Sequence, residues 1–190
     1  MKKAFILLSL GVFMVIACNN GANDPVEQAD SANDEARKDT MSMAPAPDAA
    51  TSSFLVDAAN GGMAEVSLSR LAIEKSSNAA VKKFAELMIT DHTAANEQIR
   101  SLAAQKNVTL PSDVSDEKRK AADDLMKKAG KDFDKSYIDM MIKDHENTID
   151  LFDKASSKVM NADVVAFINN TLPKLRSHLE SIKSIRNSVK

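Results

Sequence analysis

Four stretches after residue 51 carry apolar residues at the spacing of three and four that one face of an amphipathic helix requires. They cover residues 52–75, 78–105, 131–158 and 162–189. The connections at 75–78 and 158–162 are short enough to place consecutive helices side by side and antiparallel. A longer crossover contains a short charged helical pattern over 116–129, followed by Gly130 as a stop signal. The sequence therefore predicts an all-α, four-helix up-down bundle with a short extra helix in the crossover between helices two and three.

The N-terminus has the pattern of a targeting segment rather than of a folded element. Lys2 and Lys3 precede an apolar run over 4–16, which is shorter than the ~20 residues that span a bilayer. The run ends in Val-Ile-Ala-Cys, which resembles the lipobox of bacterial lipoproteins, with Cys18 as the lipidated residue. We therefore expect residues 1–17 to be a lipoprotein signal peptide and the lipid on Cys18 to hold the protein on a membrane.

Cys18 is the single cysteine of the chain, so a disulfide within the chain is excluded. The alternative is an unused thiol in an ordinary secretory signal. Asn19 follows the cysteine instead of the aspartate that marks retention in the inner membrane of well-studied envelopes. The expected location is therefore the bacterial cell envelope, lipid-anchored to the outer membrane and facing the periplasm.

Residues 18–51 are rich in Asn, Asp, Ala, Ser and Pro and carry few large apolar side chains. Such a segment buries too little apolar surface to offset its ordering entropy. We expect a flexible tether here, with a transient helix over 27–38 as the alternative. Residues 52–190 would then form the folded domain.

Charge and composition exclude one class of partner. The net charge is −2, there is no tryptophan, and no basic run occurs beyond the N-terminus. Binding to nucleic acid needs clustered cations, so we expect no nucleic-acid partner. The sequence does not identify a protein partner.

Each long helix places one residue able to bind a metal on its apolar stripe. These residues are Glu65, His92, His145 and His178, and they include all three histidines of the chain. At ~1.5 Å per residue, the first two lie about 18 and 22 Å from their hairpin and the last two about 24 and 26 Å from theirs. A carboxylate and imidazoles at one level suit a transition metal ion such as zinc, copper, iron or manganese. The alternative is a set of buried neutral imidazoles hydrogen-bonded across the bundle.

Two methionines precede two of these histidines by one helical turn: Met88 before His92 and Met141 before His145. A thioether and an imidazole on one face lean toward copper, although methionine is also a common core filler. The strings MITDH and MIKDH also repeat an aspartate before each histidine. We expect Asp91 and Asp144 to form exposed ion pairs, with a hydrogen bond to a ligand of another helix as the alternative.

Iron oxidation by a carboxylate bundle needs the pattern Glu-x-x-His on two helices. Isoleucine or leucine stands three residues before each histidine here, at Ile89, Ile142 and Leu175. We therefore expect a binding or structural module rather than an enzyme. An oxidoreductase that handles iron or peroxide is the alternative from another class, and Glu65 is the one inward acid that the stripes offer it.

The order and spacing of these elements resemble a family of bacterial envelope proteins, the domain of unknown function 4142. The resemblance covers residues 52–184. It implies a ferritin-like bundle and an outer-membrane location, and the family's recurring positions match the four stripe residues. The residues that carry it are Met63-Ala-Glu65, Leu71 to Lys75, Asn78 to Val81, Phe84-Ala85, Asp91-His92, Phe133-Asp134, Tyr137, Asp144-His145, Leu151-Phe152, Leu172-Pro173 and His178-Leu179.

Overall fold

Helices make up most of the part of the chain that the structure describes. The computed structural model describes residues 24–39, 41 and 45–189 of the 190-residue protein. In chain order the helices are α1 (Pro25–Lys38), α2 (Ala49–Lys75), α3 (Ala79–Gln105), α4 (Asp116–Met126), α5 (Gly130–Lys158) and α6 (Ala162–Ser188). Within these residues the prediction of an all-α protein is confirmed. The expected signal peptide and Cys18 lie outside the described residues.

Three of the four long helices begin at a side chain that caps their free N–H groups, whereas α5 begins without a side-chain cap. The Asp48 carboxylate accepts a hydrogen bond from the N–H of Thr51 at 2.8 Å and so starts α2. Asn78 and Asn161 cap α3 and α6 in the same way. Because these caps flank the apolar stripes, the observed bounds differ from the predicted ones by at most three residues.

Gly130 and Pro173 are residues of types that often end a helix, but neither ends one here. Gly130 has a φ of +55°, a conformation that favours glycine, but it begins α5, and α4 has already ended at Met126. Pro173 lies inside the last helix, where a proline usually causes a kink or a break, yet α6 continues through it. Pro173 and Asn169 are both exposed, so the Asn169 carbonyl that loses its helical donor faces solvent and a break is not required.

The long helices pack as an all-helical bundle. The pairs α2–α3 and α5–α6 pack along most of their lengths, α2 packs against α5, and α3 packs against α6. Of these four seams, the one between α3 and α6 is the least closely packed. None of the described helices is both long enough and apolar enough to cross a membrane.

Two separate apolar clusters fill the bundle, one toward each end. The Phe54 cluster contains Phe54, Phe152 and Phe167, whose ring centroids lie 4.9 to 6.4 Å apart. The Tyr137 cluster contains Phe84, Met88, Phe133, Tyr137, Met141 and Ile182. On every long helix a buried polar side chain stands between the two clusters, and these are the four stripe residues.

Residues 25–38 form the helix α1 instead of the expected flexible tether, in agreement with the alternative of a helix over 27–38. α1 packs against α2 and buries Ala29 and Asn33. The Asn33 amide donates to the Thr109 carbonyl at 2.9 Å and accepts from the Thr109 N–H at 2.7 Å. These two hydrogen bonds hold α1 against the loop between α3 and α4. The apolar residues of α1 alone do not predict that this segment packs as a helix.

Candidate metal centre

The polar layer between the two apolar clusters takes one side chain from each long helix. Glu65 comes from α2, His92 from α3, His145 from α5 and His178 from α6. All four side chains are buried. The sequence estimate placed each pair at one level of its hairpin, and the structure brings both pairs to the same level.

The three imidazole rings form a nearly regular triangle. Their centroids are 5.7 Å apart for His92 and His145, 5.6 Å for His92 and His178, and 5.5 Å for His145 and His178. One nitrogen from each ring belongs to a set whose members all lie within 4.8 Å of one another. Two nitrogens bound to one ion at ~2.1 Å each are at most about 4.2 Å apart. An inward shift below about 1 Å would therefore bring the rings to coordination distance.

Glu65 lies beside two of the rings on the side of their Nδ1 atoms. Its Oε2 is 3.0 Å from His92 Nδ1 and its Oε1 is 3.3 Å from His145 Nδ1, with 1% of the Glu65 side chain exposed. Neither contact has the alignment of a hydrogen bond, so the carboxylate acts on both rings mainly through its charge. Glu65 does not belong to the set of mutually close ligand atoms.

The partners of each ring determine which nitrogen carries the proton. His145 Nδ1 lies 2.8 Å from the Met141 carbonyl, which only accepts, so this nitrogen donates. His178 Nε2 lies 2.9 Å from Asp91 Oδ2 and donates to that carboxylate. The Glu65 carboxylate places the proton of His92 on Nδ1 by the same reasoning. Each neutral ring therefore keeps a lone pair on its other nitrogen.

The nitrogens with lone pairs are His92 Nε2, His145 Nε2 and His178 Nδ1. Each is buried and has no hydrogen-bond partner among the described residues. An unsatisfied buried polar group costs about 1–3 kcal/mol, and native proteins hold few of them. Three such acceptors on three rings in contact form a site that is chemically suited to an electron-pair acceptor, either a metal ion or a proton.

The electrostatics of the layer favour a cation. Burial raises the pKa of the Glu65 carboxyl, but the adjacent His92 and His145 rings and the Lys118 ammonium outweigh it and bring that pKa to about 2. Burial lowers the pKa of His92, but the Glu65 carboxylate and Asp91 raise it by more, so the pKa lies above its usual value. Burial and the neighbouring rings lower the pKa of His178 against its hydrogen bond to Asp91. Near neutral pH, Glu65 is therefore an anion and His178 is neutral.

The two repeated aspartates, for which exposed ion pairs were expected, have different kinds of partner in the structure. Asp91 instead accepts from His178 across the α3–α6 seam, which was the alternative interpretation. Asp144 is partly buried and pairs with Lys118 of α4 at 2.6 Å. Both partners lie on a different helix, 26 and 87 residues away in the chain, so the five-residue strings did not reveal them. The one signal available was that each aspartate stands beside an inward histidine.

The two methionines are fully buried in the Tyr137 cluster. Met141 contributes its backbone carbonyl, which accepts from His145 Nδ1. For Met88 and Met141 the described contacts are those of core side chains, so the thioether ligands suggested by the Met-x-x-x-His spacing stay a prediction. The Tyr137 hydroxyl is hydrogen-bonded to the Ser69 hydroxyl at 2.9 Å.

Comparison with known sequences gives the family. The sequence model of DUF4142, a domain of unknown function, matches residues 36–185, which is most of the chain. The chain belongs to the DUF4142 family. The match includes the whole polar layer and begins within α1, so the family region extends further toward the N-terminus than the resemblance over 52–184 indicated. No curated protein matches this DUF4142 chain.

Two solved structures share the fold of this DUF4142 protein. A DUF305 fragment from Deinococcus radiodurans superposes with a TM-score of 0.68 at 10% identity, covering 76% of this chain and 99% of its own. CopM, solved in an Ag-bound form, superposes with a TM-score of 0.61 at 14% identity, covering 73% of this chain and 96% of its own. At these identities the likeness establishes the helical fold alone.

Proposed function

We propose that this DUF4142 protein binds one transition metal ion through His92 Nε2, His145 Nε2 and His178 Nδ1. The observation that carries the proposal is the set of three buried lone pairs on rings in mutual contact, each on a ring whose other nitrogen faces a carboxylate or a carbonyl. Metal-binding histidines typically donate their second N–H to such groups, which fixes the tautomer and the ring orientation. Glu65 and Asp91 are then outer carboxylates rather than ligands.

The charge of the layer selects a divalent ion. Three neutral rings contribute no charge, whereas Glu65 and Asp91 contribute two negative charges in direct contact with them. An ion of charge +2 balances these carboxylates in a buried setting where an unpaired charge is costly. Imidazole ligands and the order of divalent affinities then place copper and zinc ahead of iron and manganese. The Ag-bound form of CopM supports a test of silver as well, because the two chains share a fold.

We further propose that the protein presents this site from a ferritin-like, up-down four-helix domain that hangs from the outer membrane into the periplasm. The support for the topology is the pair of short connections between α2 and α3 and between α5 and α6. The support for the location is the lipobox-like sequence that ends at Cys18. Labelling cells with a fatty-acid analogue tests the anchor, since Cys18→Ser should abolish incorporation into the protein.

A protonated cluster without metal is the second candidate. The 3.0 Å contact between Glu65 and His92, together with the raised pKa of His92, favours it, because a proton on His92 also neutralises the buried carboxylate. In that case the layer is a structural polar core of an interaction module. The two candidates differ in one measurable property, which is stoichiometric metal binding.

The test uses residues 19–190, which contain every described residue and lack the Cys18 thiol as a competing ligand. Calorimetric titration with Cu²⁺ and Zn²⁺ should give one ion per chain. Since all three histidines of the sequence lie in this layer, nitrogen couplings in the electron paramagnetic resonance spectrum of bound Cu²⁺ would report on it directly. Substitution His92→Gln should remove the signal, whereas Asp150→Asn, an exposed change on α5, should retain it. Absence of stoichiometric binding would rule out the metal site.

A further inference from the structure

A narrow groove on the α3–α6 seam reaches the polar layer from the surface. Asp91, Ala94, Lys174 and His178 are among the residues that line it. Its volume is about 80 Å³, which is room for about three water molecules. The groove therefore admits an ion with a few waters and excludes a peptide or a bulky chelate.

Exposure changes in steps from this groove to the centre of the site. The Asp91 side chain is 26% exposed, His178 is 5% exposed, and His145 is fully buried. Asp91 and His178 touch each other through Oδ2 and Nε2. A carboxylate in contact with solvent is thus one hydrogen bond away from the first ring of the triangle.

Other described grooves do not offer this route. The groove between α2 and α3 is lined by Arg70 and Arg100 and by none of the site residues. A second groove on the α3–α6 seam, lined by Ala80, Leu87 and Ser181, also contains none of them. Arginines repel an approaching cation, whereas a carboxylate attracts it.

We propose that the α3–α6 groove is the port through which the metal ion enters and leaves, with Asp91 as its capture residue. This inference rests on the proposed metal site. His178 occupies only Oδ2 of Asp91, so the second carboxylate oxygen is the one that meets the ion. Asp91 then keeps its hydrogen bond to His178 Nε2 and orients the ring whose Nδ1 receives the ion. Asp91 is therefore a capture and positioning residue, and it is not one of the three ligands.

Residues 19–190 provide an internal optical signal for the kinetics. Tyr137 is the single tyrosine and there is no tryptophan. Tyr137 lies two turns before His145 on α5, about 12 Å along the helix axis. Bound Cu²⁺ should quench the Tyr137 fluorescence, so stopped-flow mixing with Cu²⁺ measures association and chasing with a chelator measures dissociation.

A steric variant tests the port separately from affinity. Ala94→Leu places a larger side chain at an exposed position of the groove wall. It should slow association and dissociation by the same factor, so that the dissociation constant changes little. Ala80→Leu is the matched control, because Ala80 is also exposed on α3 but lines the other groove of the same seam. It should leave both rates unchanged.

Two charge variants should act in opposite directions. Removing a unit charge about 5 Å from the path of a divalent ion changes the association rate by about 16-fold in water. Asp91→Asn, which retains an acceptor for His178 Nε2, should slow association by about that factor, and Lys174→Gln should speed it by a similar factor. Both effects should diminish in 1 M salt, where the Debye length is about 3 Å.

The outcomes separate the port from the site itself. If Cu²⁺ does not quench the Tyr137 fluorescence of the unmodified protein and calorimetry detects no Cu²⁺ binding, the proposals of the metal site and of the port are both wrong. If it binds Cu²⁺ but Ala94→Leu behaves as Ala80→Leu does, the port is wrong and the site stands. Faster association in Asp91→Asn would likewise overturn the capture role. Circular dichroism and the melting temperature of each variant establish that the bundle is folded.

Discussion

Replacing Glu65 with glutamine tests whether this carboxylate orients the histidines or binds the ion itself. Glu65 faces the Nδ1 atoms of His92 and His145 at 3.0 and 3.3 Å, and the lone pairs of both rings lie on Nε2. Glutamine keeps the size of the side chain but loses the charge through which the carboxylate acts on both rings. Loss of an outer partner of this kind typically costs 10–100-fold in metal affinity.

The expected shift in melting temperature follows from that factor. At a metal concentration of 100 times the dissociation constant, binding stabilises the folded state by about 2.7 kcal/mol. For a chain of this size 1 kcal/mol corresponds to about 2–4 °C, so the unmodified protein should gain about 5–11 °C. At the same concentration, affinity lowered by 10-fold leaves a gain of about 3–6 °C, and affinity lowered by 100-fold leaves a gain of about 1–2 °C.

The assay is differential scanning calorimetry of residues 19–190 with and without Zn²⁺, at a concentration set from the measured affinity. The matched control is Glu74→Gln, an exposed change on α2, which should keep the full gain. A loss in Glu65→Gln as complete as that in His92→Gln would mean that Glu65 is a ligand. A full gain in Glu65→Gln would refute the orienting role.

Two further predictions concern the bundle itself. A Cβ on Gly62 would lie 2.2 Å from the buried Asn96 Oδ1, whereas a Cβ on Gly61 meets nothing closer than 3.8 Å. Gly62→Ala should therefore lower the free energy of unfolding by about 1–2 kcal/mol and Gly61→Ala should raise it by about 0.5–1 kcal/mol; the reverse order in urea titration would contradict the packing. Asn33→Ala removes both hydrogen bonds to Thr109, and it should expose α1 to limited proteolysis and cost about 1–3 kcal/mol. Equal protease resistance of the variant and the unmodified protein would show that α1 does not depend on Asn33.

The bounds of the long helices were predictable because two local signals agree. The apolar stripe identifies the buried face, and capping side chains such as Asp48, Asn78 and Asn161 mark the beginnings. The shared level of the two stripe residues within each hairpin also followed from helical rise and short connections, whereas the level of one hairpin against the other did not. These signals depend only on neighbours within a few residues, which is why one sequence sufficed.

α1 and the role of Glu65 were not predictable in the same way. α1 has few large apolar residues, and Asn33 holds it through a partner 76 residues away. Glu65 was correctly placed inward, but its position relative to the Nδ1 or Nε2 side of a ring depends on rotamers and on the rotation of two other helices. Long-range polar geometry of this kind leaves no periodic trace in the sequence.

The repeated strings MITDH and MIKDH show how one local frame acquires two roles. Their members stand 53 residues apart, and in both copies the histidine points inward and the methionine packs in the Tyr137 cluster. The aspartates differ because their neighbours differ: Asp91 faces His178 on α6, and Asp144 faces Lys118 on α4.

The different neighbours decide which aspartate serves the site. On the α3 side the seam leaves a groove, so Asp91 is at once exposed to solvent and bonded to a candidate ligand. On the α5 side Lys118 of α4 neutralises Asp144 and also lowers the pKa of Glu65. A cation entering beside Asp144 would meet the Lys118 ammonium first. A cation is therefore attracted to the layer on the side of Asp91 and repelled on the side of Asp144, although MITDH and MIKDH are nearly identical sequences.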